Sequence, residues 1–225
     1  MSNCCENKSC EITALRQSHS RVLWAVLAIN AAMFIVEGVA GWHAGSTSLL
    51  ADALDMFGDA LVYAFSLLVL AKSEQWQARA AAVKGLFMLA FGLGVLADAM
   101  YKVFFPVMPG VVVMGAVGAL ALFANLICFY LLYSHRSDNL NMSSTWLCSR
   151  NDLIANVGVL MAAGGSHFLA SGWPDIVVGV LIASLFLNSA YSVLRDSLHA
   201  LARHQRPPAM ATTSKVIEIS RRPRP

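Results

Sequence analysis

The sequence predicts an all-α, polytopic membrane protein with six transmembrane helices, and two observations carry this prediction. Of the 225 residues, 57% are hydrophobic and only 13% are charged, whereas soluble domains carry about 25% charged residues. The apolar residues are gathered into six segments, each close to the ~20 residues that a helix needs to cross a bilayer. A composition of this kind excludes a soluble globular domain.

The six predicted spans are separated by polar loops or by turns that contain glycine or proline. They cover residues 22–42, 45–70, 85–104, 111–133, 145–170 and 175–194. We therefore divide the chain into a cytoplasmic, cysteine-containing tail at 1–20, a six-helix transmembrane domain at 21–199, and a short basic cytoplasmic tail at 200–225. We expect the second tail to be disordered. Metal capture, palmitoylation or no role at all would suit the thiols of Cys4, Cys5 and Cys10.

The distribution of basic residues predicts the orientation of the chain in the membrane. Nearly all lysines and arginines lie in the two tails and in the loops at 71–84 and 134–144, whereas the three opposite turns carry none. Because basic loops stay in the cytoplasm, both termini are predicted to be cytoplasmic. Near the end of the third span, Asp98 and Lys102 are four residues apart, which favours an ion pair at the membrane interface.

The second span is unusual because an apolar helix carries three carboxylates, Asp52, Asp55 and Asp59. Their spacing of three and four residues places them along one face of the helix. An ionisable residue at membrane depth costs at least ~2.5–3.5 kcal/mol on insertion scales, so three on one stripe indicate a cation site. For Asp52 alone, a helix-capping or water-facing position is an alternative.

The fifth span presents a matching stripe, because Cys148, Asp152 and Asn156 repeat every four residues. If Cys148 and Asp152 face Asp55 and Asp59, the four side chains form a cage of the kind that tetrahedral Zn2+ accepts. The alternative for Cys148 is a small apolar filler. The site would then consist of Asp55, Asp59 and Asp152, completed by water or by Asn156.

Such a cage has to hold protons when it is empty, because four ionised groups would place four negative charges in a low-dielectric site. Metal ligands bind in their deprotonated form, so an arriving metal ion expels those protons. Metal binding coupled to proton release at membrane depth is what an exchanger needs. In the first span, Asn30 and Glu37 share one face, where they would either support this site or join helices.

These residues carry a resemblance to a known family. The stretch from Gly45 to Asp59 resembles the second-helix pattern of the cation diffusion facilitator family, which comprises divalent-metal/proton antiporters. The similarity spans about residues 19–200. Four later features also fit the family: Asn125, the Leu-Asn-Met at 140–142, Asp152, and the Pro-Asp that opens the sixth span.

The resemblance implies a transport site of Asp55, Asp59 and Asp152 with the group at Cys148, where the family usually has histidine. The metal ion, such as Zn2+, is then cargo, and no resident cofactor is expected. The family also has a cytoplasmic C-terminal domain that supports dimerisation. We expect this chain to be a short form without that domain, which leaves a homodimer open.

The predicted function is efflux of Zn2+, Co2+, Cd2+ or a related ion across the cell membrane in exchange for protons. Its predicted partners are the metal ions, protons and the lipid bilayer. The alternative is a non-transporting membrane metal sensor or scaffold. No enzyme is predicted, because no nucleophile motif accompanies the carboxylates. No basic patch with interleaved aromatic residues indicates a nucleic-acid partner.

Overall fold

The protein is built from six helices in its described parts, and no strand occurs there. The computed structural model describes residues 3–68, 73–134 and 142–205, with side chains described from Arg21 in the first helix and from Asp152 in the fifth. The helices are α1 (Asn3–Ala44), α2 (Thr47–Leu68), α3 (Glu74–Phe104), α4 (Val111–Ser134), α5 (Met142–Leu169) and α6 (Trp173–Gln205). The predicted all-α, six-helix membrane fold is confirmed.

Three helices extend beyond their predicted spans by more than ten residues. α1 begins at Asn3, α3 begins at Glu74, and α6 continues to Gln205, so much of the predicted polar loop at 72–84 is helical. The physical reason is that this segment is rich in alanine and also contains glutamine, lysine and arginine, which are all good helix formers. Charged residues therefore mark where a helix leaves the apolar zone and not where it ends. The thiols of the N-terminal tail and residues 206–225 lie outside the described residues.

The membrane character of the bundle is visible in its surface. Five helices contain described stretches long and apolar enough to cross a membrane, and α2 is the remaining helix. Large apolar side chains point outward along these helices, for example Ile35, Phe123, Met161 and Leu185. Such a surface suits lipid, since water would oppose an apolar belt of this extent. The chain is therefore a multi-pass membrane protein.

Close helix contacts determine the packing. α3 and α6 run antiparallel, because a Cβ at Gly85 would lie 3.1 Å from the backbone nitrogen of Leu194 and a Cβ at Gly92 would lie 2.6 Å from the side chain of Leu187. At Gly179 of α6, a Cβ would approach the nitrogen of Ser48 in α2 to 2.8 Å. Glycine at these positions allows the backbones to come together.

The turns that join α1 to α2, α3 to α4 and α5 to α6 lie together at one end of the bundle, which we call the turn end. The Gly110 N–H donates to the Ala44 carbonyl over 2.7 Å, which links the first two of these turns. A Cβ at Gly172, in the third, would lie 2.5 Å from the Val107 carbonyl oxygen. Gly45 has a φ of 61°, a left-handed conformation that glycine adopts without strain.

Asp175 of α6 fastens the start of α2 at the turn end. Its carboxylate is buried and accepts hydrogen bonds from the Thr47 N–H (2.7 Å), the Ser48 N–H (3.0 Å) and the hydroxyls of Ser46 (2.7 Å) and Ser48 (2.6 Å). The Ser46 hydroxyl oxygen also accepts the Leu49 N–H over 3.1 Å. The backbone donors at the start of α2, which have no partner within the helix, are thus satisfied.

α3 joins the same contact region through a buried lysine. The Lys102 ammonium donates to the Thr47 hydroxyl oxygen over 3.0 Å and pairs with Asp98, while the Thr47 hydroxyl donates to Asp98 over 2.9 Å. The predicted ion pair is confirmed, and it is more deeply placed than an interfacial pair because Lys102 is buried. We call Asp175, Ser46, Thr47, Ser48, Asp98 and Lys102 the clasp. It holds the starts of α2 and α6 to the end of α3.

We expect Asp175→Ala to destabilise the protein strongly. The change leaves two backbone N–H groups and two hydroxyls without their acceptor at a buried position, and each buried unsatisfied group costs about 1–3 kcal/mol. Thermal unfolding of the purified protein in detergent measures the effect. Asp196→Ala, which removes an exposed carboxylate from the same helix, is the matched control. Equal unfolding midpoints for the two variants would contradict this role of Asp175.

Candidate metal-binding site

The structure brings α2 and α5 together, as the two carboxylate stripes require. The direct contact is between the Asn156 amide nitrogen and Asp52 Oδ1, at 3.4 Å, and the same nitrogen donates to the Asp152 carbonyl at 2.9 Å. The helices run in opposite directions, because α2 starts at the turn end and α5 finishes there. This contact therefore fixes the register of the two stripes.

The register aligns the predicted site residues in pairs along the bundle. From Asp52, Asp55 lies about 4.5 Å and Asp59 about 10.5 Å farther along α2, at the helical rise of ~1.5 Å per residue. From Asn156, Asp152 lies about 6 Å and the Cys148 position about 12 Å farther along α5, in the same direction. Asp55 is thus at the level of Asp152, and Asp59 is at the level of the Cys148 backbone.

The predicted aspartate ligands are less buried than Asp52 and Asn156, which lie on the same two helices and are fully buried. Asp55, Asp59 and Asp152 are each half-buried, and the side chain of Cys148 lies outside the described residues. Among the described side chains, no three His, Cys, Asp or Glu residues come close enough together to hold a metal ion. The ligand set Asp55, Asp59, Cys148 and Asp152 therefore stays a prediction, with its helices correctly apposed.

Asp52 neither caps a helix nor faces water, which were the two alternatives considered for it. Its exposed fraction is 0%, and Oδ2 has no hydrogen-bond partner among the described residues. The start of α2 is capped by Ser46 and Asp175, so Asp52 is not a helix cap. The capping and water-facing interpretations of Asp52 are therefore wrong.

Glu37 of α1 belongs to the same region. It is fully buried, and neither oxygen of its carboxylate has a hydrogen-bond partner among the described residues. Its placement follows from a close approach one helical turn away, where a Cβ at Gly41 would lie 3.0 Å from the Leu50 nitrogen. Of the two roles considered for Glu37, the position beside the carboxylates of α2 favours support of the site.

Asn30 has the other role, that of joining helices. Its amide nitrogen donates to the Val26 carbonyl at 2.9 Å and lies 3.6 Å from the sulfur of Cys128 in α4. Asp175 was identified in the sequence only as a residue at the start of the sixth span. The cluster of hydroxyl residues at 46–48 was the available signal for a buried acceptor, but it does not say which distant carboxylate provides it.

Comparison with known proteins identifies the family of the chain independently of the geometry of the site. A family model described as the cation efflux transmembrane domain matches residues 23–202. The chain is 28% identical over 201 residues to the zinc transporter ZitB of Yersinia pestis, covering 83% of this chain and 64% of that protein. It is 30% identical over 202 residues to ZitB of Escherichia coli, covering 82% and 63%.

A relative whose name gives a different set of transported ions is also similar. The cadmium, cobalt and zinc/H(+)-K(+) antiporter of Bacillus subtilis is 24% identical over 198 residues, which cover 82% of this chain and 64% of that protein. The chain thus spans slightly less than two thirds of the length of these relatives. The matched segment contains α2 to α5, the second half of α1, most of α6 and every predicted ligand.

Proposed function

Because this chain belongs to the cation efflux family, we propose that it exports divalent transition-metal ions across the cell membrane in exchange for protons. The observation that carries the proposal is the contact of Asn156 in α5 with Asp52 in α2, inside a bundle of membrane-spanning helices. With the rise of an α-helix, this contact supports a common level for Asp55 and Asp152. Carboxylates in the interior of a membrane protein are typical of ion and proton pathways. The similarity to a zinc transporter and to a cadmium, cobalt and zinc antiporter supports Zn2+, Co2+ and Cd2+ as cargo.

Asp55, Asp59, Asp152 and Cys148 are the proposed ligands of the transported ion. The carboxylates bind metal only when they are deprotonated, so protons and metal compete for the same oxygen atoms. Exchange follows if the site faces the two sides of the membrane in turn. Protons taken up on one side are then released by the metal ion that arrives from the other.

The difference in burial supports access from the end opposite the turns. Asp55, Asp59 and Asp152 keep part of their surface exposed, whereas Glu37 and Asp52, on the turn-end side, are fully buried. The clasp closes the turn end above them. With both termini in the cytoplasm, as the basic loops at the opposite end favour, this arrangement is an inward-facing one in which the site receives metal from the cytoplasm.

We expect metal flux to depend on a proton gradient. The purified protein is reconstituted into vesicles that contain a Zn2+-sensitive dye and a pH-sensitive dye, and a pH gradient is imposed. Because protons and metal compete for one site, Zn2+ should enter faster when the vesicle interior is acidic, and the interior should become more alkaline as it enters.

Two results would contradict the proposal in different ways. Zn2+ flux without proton movement would indicate a channel or a uniporter. Tight Zn2+ binding with no flux in either gradient direction would indicate a non-transporting sensor or scaffold. Protein-free vesicles and vesicles with a collapsed pH gradient are the controls for leakage.

A further inference from the structure

The bundle contains a second group of polar side chains that the proposed ligand set does not use. Glu37 of α1, Asp52 of α2 and Asn156 of α5 are each 0% exposed. Both carboxylate oxygens of Glu37, Oδ2 of Asp52 and Oδ1 of Asn156 have no hydrogen-bond partner among the described residues. We call these three residues the turn-end cluster. It presents four oxygen atoms with acceptor capacity in the interior of a membrane protein.

The cluster is held together by contacts on two sides. The Asn156 amide nitrogen lies 3.4 Å from Asp52 Oδ1 and also donates to the Asp152 carbonyl at 2.9 Å. The amide nitrogen of Asn156 is therefore engaged with both α2 and α5. Its amide oxygen has no hydrogen-bond partner among the described residues. On the other side, α1 and α2 approach closely at Gly41 and Leu50. Glu37 is one helical turn before Gly41, and α2 runs back along α1 after a short turn, so Glu37 lies at the level of residues 52–55 of α2.

Buried carboxylates of this kind have to be neutralised, either by protons or by a bound cation. An ionised group removed from water is strongly destabilised unless a counter-charge and hydrogen bonds compensate it. The buried lysine of the described bundle, Lys102, already pairs with Asp98 and donates to Thr47 within the clasp, so it does not serve as this counter-charge. A divalent cation would neutralise the two carboxylates, and the amide oxygen of Asn156 would add a neutral ligand.

We propose that Glu37, Asp52 and Asn156 form a second cation-binding subsite, composed only of oxygen ligands, between the transport site and the turn end. The subsite differs from the transport site in ligand chemistry, because no thiol belongs to it. Oxygen ligands suit hard divalent cations such as Mn2+. Its role as a step on the exit path rests on the proposed function, whereas its ability to bind a cation does not.

The subsite lies close enough to the proposed transport site to receive a metal ion from it. Asp52 is about 4.5 Å along α2 from Asp55, and Asn156 is about 6 Å along α5 from Asp152. A metal ion can therefore pass from one set of carboxylates to the next without crossing an apolar gap. The clasp lies beyond the subsite, so its opening would release the ion on the side of the turns.

The test separates the two sites with Mn2+ as the probe, measured by equilibrium dialysis and by the Mn2+ electron paramagnetic resonance signal of the purified protein. An Asp55→Asn/Asp59→Asn variant disables the transport site, and we expect it to retain about one Mn2+ per chain at the oxygen-only subsite. Adding Glu37→Gln to this variant should abolish that binding. Adding Ser166→Ala, which removes another buried unpartnered group from the described part of the bundle, should leave it unchanged.

A variant that is expected to bind Mn2+ more tightly is also needed, because lost binding alone could result from misfolding. Asn156→Asp in the same background adds a carboxylate to the cluster, and we expect it to tighten Mn2+ binding several-fold. The proposal is overturned if the Asp55→Asn/Asp59→Asn protein, eluting as a folded species, binds no Mn2+. It is also overturned if neither Glu37→Gln nor Asn156→Asp changes the binding. Absence of flux in the native protein, with these binding results intact, would overturn the proposed function and leave the subsite in place.

Discussion

Asp55→Asn, Asp59→Asn and Asp152→Asn are each expected to abolish metal flux. Asparagine keeps the size of the side chain and removes its charge, so the bundle can still assemble while the site loses a ligand that a divalent ion requires. Loss of an outer-shell partner of a metal site already costs about 10–100-fold, and loss of a direct ligand should cost at least as much. Initial rates of Zn2+ uptake into vesicles measure this effect.

The matched control for these three variants is Asp196→Asn. Asp196 lies near the end of α6, is exposed, and is remote from the α2–α5 contact, so its neutralisation should leave uptake near the native rate. Amounts of inserted protein have to be equal in all vesicle preparations. Near-native uptake by any one of the three site variants would remove that aspartate from the proposed ligand set.

The second large effect is expected at Cys148, where ion selectivity should change. If its thiolate binds the metal, the site is softer than a cage of carboxylates and favours Cd2+ and Zn2+ over Mn2+. Cys148→Ser should then reduce Cd2+ uptake by about tenfold or more, with a much smaller effect on Mn2+. Cys148→His restores a nitrogen and oxygen cage, which should favour Zn2+ and Co2+.

Competition among Cd2+, Zn2+, Co2+ and Mn2+ in one vesicle assay tests this expectation. The native protein, Cys148→Ser and Cys148→His are compared at equal protein content. Cys128→Ser is the control, because Cys128 is a buried cysteine of α4 that contacts Asn30 and does not belong to the proposed ligand set. One order of selectivity in all three proteins would show that Cys148 does not touch the metal, and the site would then consist of the three aspartates.

The sequence was sufficient to predict the six helices and the helix faces that carry the candidate site residues. A bilayer requires ~20 apolar residues in each helix, and this requirement is visible locally, so six helices could be predicted. The spacing of Asp52, Asp55 and Asp59 on α2, and of Asp152 and Asn156 on α5, likewise places each set on one face from helical periodicity alone. Helix ends were less accurate at α1, α3 and α6, because composition marks the membrane boundary and a helix can continue into water.

Only the tertiary structure decided how these stripes meet. The contact of Asn156 with Asp52 joins residues 104 positions apart, and the hydrogen bond of Ser46 to Asp175 joins residues 129 positions apart. Local spacing says nothing about which distant helix a face will contact or in what register, because those are set by packing at positions such as Gly41 and Gly179. The complete burial of Glu37 and Asp52 follows from the same packing, since each helix alone would leave its carboxylates open to the surroundings.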